Sequence, residues 1–142
     1  MFRDAEFYIV DIFIAIDKIK RYTKDFSNAQ ELLHDEKTWD AVIRELEIIG
    51  EATNKLIKLD FLKKDFKIIV DFRNIIVHEY FGIDEKIVWE VISGYLIDFY
   101  NELLDISKNN DLNLAIQKAI EENKHNKKVI SFLKELQNVL SA

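Results

Sequence analysis

Not one of the 142 residues is a proline, and glycine occurs only three times, at positions 50, 82 and 94. These two residue types are the ones that most often interrupt regular backbone, so the chain has few places to stop a helix. Apolar residues recur every three or four positions through most of its length, the period of an amphipathic helix. Long helices with short connections follow, and the predicted fold is all-α: an antiparallel four-helix bundle with additional C-terminal helices.

The first helix is predicted over 4–24. Tyr8 or Ile9, Ile12, Phe13, Ile16 and Ile19 form its inner face, and Lys18, Lys20, Arg21 and Lys24 gather at its end. Cations there complement the helix dipole, and they also suit phosphates. A short turn or helix over 25–34 is opened by Asp25 or Ser27 as a cap. His34, beside Asp35 and Glu36, reads as a surface histidine. The second long helix spans 36–58, with Trp39, Val42, Ile43, Leu46, Ile49 and Leu56 facing inward. A polar stripe of Arg44, Glu47, Glu51 and Asn54 runs beside that face. The segment 63–84 gives a third helix that Gly82 ends, and Asp84 caps a fourth over 85–106. After a polar break at 107–113 come two more helices, 112–122 and 127–140, with a solvated His125 between them. Residues 1–106 are thus the bundle, and 107–142 an extension packed on the same domain.

At this length, with 49% hydrophobic and 32% charged residues, the chain suits one soluble globular domain. No apolar run is long enough to span a bilayer, and the acidic start MFRDAEFY is unlike a secretory signal. The absence of cysteine excludes disulfides and thiolate metal sites and fits a reducing cytoplasm. A net charge of −6 argues against broad coating of nucleic acid but permits a small, local basic site.

Between Lys63 and Asp84, Phe66, Ile69, Val70, Ile76 and Val77 define one apolar stripe. Ile68, Phe72 and Ile75 make a second apolar edge, one suited to cover by another copy of the chain. Arg73 lies on the first stripe, where burial costs several kcal/mol, roughly, unless the charge is paired. Glu47 or Glu51 can supply that partner, or the polar stripe can simply be an exposed face with local ion pairs. The sequence leaves both readings open. Phosphate loops, metal-binding helices and nucleophile elbows are absent from the sequence. What remains is Arg73, Asn74, His78 and Tyr80. An arginine grips phosphate through paired hydrogen bonds, and a histidine exchanges protons near neutral pH. Together they suffice for in-line attack of an RNA 2′-hydroxyl without metal or cofactor. At about 100° per residue, Arg73 and His78 lie roughly 140° apart on an unbroken helix, whereas Arg73 and Tyr80 nearly coincide. Either the helix loosens near Gly82 or two copies share one site across a two-fold axis. The bland alternative is a core histidine and an arginine in a buried ion pair.

The string Arg73-Asn74-Ile75-Ile76-Val77-His78-Glu79-Tyr80-Phe81-Gly82-Ile83-Asp84, followed by Val88-Trp89, resembles the HEPN superfamily, and within it the HepT-like (DUF86) ribonuclease toxins with their R-x4-H-x-Y motif. Residues 40–52, from Asp40 through Gly50 and Glu51, are similar to the same family, and the likeness covers about residues 4–105. The resemblance implies an all-helical homodimer with a composite cleft, acting as a metal-independent endoribonuclease toxin. Arg73 and His78 match the catalytic pair, and Asn74 the polar residue after the arginine. Tyr80 matches the tyrosine that an MntA-like minimal nucleotidyltransferase antitoxin modifies with AMP, which silences the toxin. An added AMP blocks the cleft and opposes its positive charge. The competing reading is a noncatalytic subunit that presents a nucleotide or substrate to such a nucleotidyltransferase. A third is a helical assembly protein in which Arg73 only stabilises an interface.

Overall fold

Helices begin where a short polar side chain can accept from the first free backbone amides. The computed structural model describes residues 5–78 and 82–142. It runs as α1 (Ala5–Thr23), α2 (Ala29–His34), α3 (Glu36–Lys58), a 3-10 turn (Lys64–Phe66), α4 (Lys67–His78), α5 (Glu85–Glu90), a π-helical turn (Val91–Tyr95), α6 (Leu96–Ser107), α7 (Asn113–Glu122) and α8 (Lys127–Ser141). No strand occurs among the described residues, and the fold is all-α, as the periodicity predicts.

Asp35 opens α3 by accepting from the Thr38 amide at 3.1 Å, and Asp84 opens α5 by accepting from Lys86 at 2.9 Å. The cap of α2 is neither Asp25 nor Ser27 but Asn28, whose extended backbone lets its side chain accept from the Glu31 amide at 3.0 Å. Glu31 in turn accepts from the Ser27 amide, so the two ends of the turn hold each other. At the far end of α3 the chain reverses through Asp60, which sits at φ 62. The Asp60 amide donates to the Ile57 carbonyl and the Phe61 amide to that of Leu56, the paired bonds of a Schellman ending with aspartate where glycine is usual.

Two long elements differ from expectation. The third starts as a 3-10 turn and becomes α-helical only at Lys67, and the fourth widens into a π turn over Val91–Tyr95. Gly94 lies in that turn, where a residue without a side chain offers least resistance to a change of helical pitch.

α3 lies between α1 and α4, α2 rests on α3 and α5, and α7 and α8 pack on each other and on α1. Ile12, Phe13 and Ile16 from α1 meet Leu46 and Ile49 from α3 in a core that water does not reach. Each such side chain contributes about 1.5–3 kcal/mol through the surface it removes from water. α6 is tied in by aromatic contacts: Tyr100 meets Phe13 edge-on at 5.2 Å, and Phe99 stacks on Phe66 at 5.1 Å. Phe72, read from the sequence as part of the second apolar edge, is buried within this chain, because it stands three residues from Ile69 and four from Ile76. Ile68 and Ile75 are the members of that edge that stay out, 63% and 48% exposed.

Candidate active site

Gly50 decides how α4 lies on α3. An ideal Cβ built there would collide with Arg73 Cβ, lie 2.6 Å from Arg73 Cγ and come within 3.2 Å of the Ile69 carbonyl oxygen. The missing side chain is therefore a notch that seats the aliphatic stem of Arg73, and the two helices approach more closely there than any other residue would allow. Seated this way, Arg73 is half-buried rather than sunk in the core. Its Nε is shut away from solvent and bonded to nothing among the described residues. Its Nη1 donates to Asn74 Oδ1 at 3.3 Å, a long hydrogen bond that steers the guanidinium without neutralising it.

Neither carboxylate suggested as a partner pairs with Arg73, and among the described residues no acid lies within ion-pairing distance of its guanidinium. The helical register explains this. Glu51 stands one residue beyond Gly50, about 100° round α3, and lines a shallow depression with Tyr8, Asp11, Ile48 and Ala52 on the α1 side. Glu47 stands almost one turn before Gly50, level with Ile76 instead. There it lines a cleft of about 400 Å³ with Trp39, Asp40, Ile43, Arg44 and Ile83.

His78, the last described residue of α4, is exposed, as is Asn74. α4 is continuous through His78, so Arg73 and His78 remain on different sides of one regular helix. No loosening brings them together before residue 78. The structure thus unites Arg73 with Asn74, and Glu47 with Arg44, but it does not gather Arg73 and His78 onto one face of one chain. Tyr80 lies outside the described residues. Among the described residues no group of three or more metal-ligating side chains gathers, and no helix is long and apolar enough to cross a membrane.

Glu45 escaped the sequence reading. It is 6% exposed on the inner face of α3 and faces the end of α1. Burial raises its carboxyl above the ordinary glutamate value, while Lys18, Arg44 and Arg21 pull the other way. Its spacing was the available signal, three residues after Val42 and four before Ile49, where an apolar residue is expected.

The model of the ribonuclease HepT-like family matches residues 12–106. A Thermococcus cleftensis protein named "Probable ribonuclease HepT" is 38% identical over 96 residues, 65% of this chain and 86% of its own length. A Methanocaldococcus jannaschii protein named "Putative RNase MJ1380" is 37% identical over 94 residues, 63% of this chain and 84% of its own. A longer protein of the same organism, "Gamma-glutamylcyclotransferase and putative RNase MJ0434", is 33% identical over 131 residues. That alignment takes in 89% of this chain but only 54% of the relative, so the chain spans about half of its length. No solved structure matches.

Proposed function

Because the chain belongs to the ribonuclease HepT-like family, we propose that it is a metal-independent endoribonuclease in which Arg73 and His78 form the catalytic pair. The observation that carries the proposal is the state of Arg73. It is a permanent cation, held in place by the Gly50 notch and by Asn74, with no carboxylate among the described residues to neutralise it. A stabilising ion pair would consume that charge, and a phosphate-handling arginine needs it free.

In this reading the 2′-hydroxyl of RNA attacks the adjacent phosphorus and the 5′-oxygen of the next nucleotide leaves, giving a 2′,3′-cyclic phosphate and a 5′-hydroxyl. His78 moves protons between the two oxygens, and Arg73 steadies the added negative charge on the phosphoryl oxygens. Since α4 runs regularly through His78, the pair is completed by a second copy of the chain, with α4 meeting α4 across a two-fold axis. The exposed Ile68 and Ile75 supply apolar surface for that contact. The chain is the toxin of a toxin–antitoxin pair in the cytoplasm. A minimal nucleotidyltransferase antitoxin silences it: the Tyr80 hydroxyl attacks the α-phosphorus of ATP and releases pyrophosphate.

The test is cleavage of RNA by purified, unmodified protein in excess chelator. Products ending in cyclic phosphate are expected, with losses of about 10²–10³-fold in Arg73→Ala and about 10²–10⁴-fold in His78→Ala. Wild-type activity in either variant, or cleavage that the chelator abolishes, refutes the mechanism. Mass spectrometry of Tyr80 after incubation with a minimal nucleotidyltransferase of the MntA type and ATP tests the silencing step.

A further inference from the structure

We propose that the groove between the C-terminal end of α1 and the first half of α8 is a docking strip for the sugar–phosphate backbone of single-stranded RNA. The identity of the polymer rests on the ribonuclease reading; the strip itself rests on residues outside the catalytic pair.

Charge in this acidic chain is strongly segregated. Residues 18–24 and 124–134 together hold eight of its twenty lysines and arginines and none of its twenty-six acids. The two segments are a hundred residues apart in sequence, and packing of α8 on α1 sets them side by side. A groove of about 350 Å³ runs between them, with Arg21 and Lys24 on one wall and Lys128, Ser131 and Phe132 on the other. Two acids also line it. Asp17 and Arg21 neutralise each other, Asp17 accepting from Arg21 Nε at 2.9 Å, so Lys24 and Lys128 are the cations the groove offers a ligand. Glu135 is exposed and opposes an anionic ligand.

The start of α8 adds a second observation. Lys127 and Lys128 stand in its first turn, and that turn contains no acid. Cations there oppose the helix dipole. An arrangement unfavourable in the free protein turns favourable once an anion lies across the groove. Lys24, Lys128 and Ser131 are exposed, so they are open to such a ligand, and half-buried Phe132 gives the wall an aromatic surface. A basic groove with an aromatic wall suits a single strand, whose bases are free to stack while its phosphates meet the cations. At physiological salt, screening over about 8 Å confines the repulsion from the acidic remainder of the chain. Neither Arg73 nor His78 lines the groove, so the strip serves to hold the polymer and takes no part in the chemistry.

Fluorescence anisotropy of a labelled dodecauridylate tests this, using the full chain with His78→Ala so that the probe is not cut. Lys24→Glu with Lys128→Glu is expected to weaken binding at least tenfold and to lower the slope of log K against log salt by about 1.4, roughly 0.7 for each phosphate contact removed. Glu135→Gln is expected to tighten binding, a gain that a misfolded variant cannot produce. Unchanged affinity and slope in the double reversal overturn the proposal. So does polyglutamate competing as well as RNA of equal charge, which marks the groove as a surface for acidic proteins. Cleavage of bulk RNA in excess chelator is measured separately with His78 intact. Its absence refutes the catalytic reading while leaving the docking result to stand or fall by itself.

Discussion

Gly50→Ala adds one methyl group at the place where α4 is seated. Helix propensity alone favours the change by about 0.8–1.0 kcal/mol, because alanine loses less backbone freedom than glycine. Packing opposes it. The new carbon would sit 2.6 Å from Arg73 Cγ, against the 3.4 Å at which ordinary contact begins, and it would also meet Arg73 Cβ. Rotation about χ1 can move Cγ away, but Cβ is fixed to the α4 backbone, so the helix itself must shift. Overpacking of this kind costs roughly 1–3 kcal/mol, which leaves the variant about 0–2 kcal/mol less stable. Gly94→Ala is the internal control, since a Cβ there meets nothing within 4 Å. The propensity gain is then unopposed, and stability should rise by up to ~1 kcal/mol. Urea denaturation of both variants should therefore separate them by about 1–3 kcal/mol, with opposite signs relative to wild type. The functional effect should exceed the thermodynamic one, because a catalytic group displaced by about an ångström loses on the order of 10²-fold in rate. Gly50→Ala as stable as Gly94→Ala, with RNA cleavage at the wild-type rate, would show that Gly50 does not position Arg73.

Other outcomes follow from the same geometry. Ile68→Glu with Ile75→Glu should convert a dimer to a monomer in sedimentation and abolish cleavage, while leaving the helical circular dichroism unchanged; a monomeric variant that still cuts RNA removes the need for a shared site. Glu45→Gln should stabilise the protein at neutral pH. Burial raises the folded-state pKa of Glu45 above its ordinary 4.5, so wild-type stability is fully present below that value and declines as pH rises through the higher folded one. The advantage of the glutamine should thus grow from pH 4 to pH 7 and be absent at acid pH, as thermal melts across that range can check. Asp60→Gly should stabilise by about 1–2 kcal/mol, since it relieves a left-handed backbone at a Schellman ending; lower stability would argue for a specific role of the aspartate. Asn126→Ala should cost about 1 kcal/mol by leaving the Val129 amide at the start of α8 without its cap.

The sequence by itself determined the class and order of the helices. Without proline to interrupt it, the apolar period placed α1, α3, α7 and α8 to within a residue or two. Those are local properties, written in side-chain spacing and backbone preference. The motif around Arg73 and His78 was legible for the same reason, since five residues on one helix have a fixed angular relation. Which acids meet Arg73 was not legible, because that depends on how two helices are rotated and how closely they approach. Gly50 sets both, and in doing so places Glu47 beside Ile76, turns Glu51 toward α1 and leaves the arginine without an ion pair among the described residues. Periodicity gave no sign of the π turn at Val91–Tyr95, since one widened turn leaves the apolar pattern on either side almost intact. The basic groove belongs to tertiary structure most of all. Lysines at the end of α1 and at the start of α8 each look like ordinary solvated charge in the sequence, and only the packing of one helix on the other turns them into a single field.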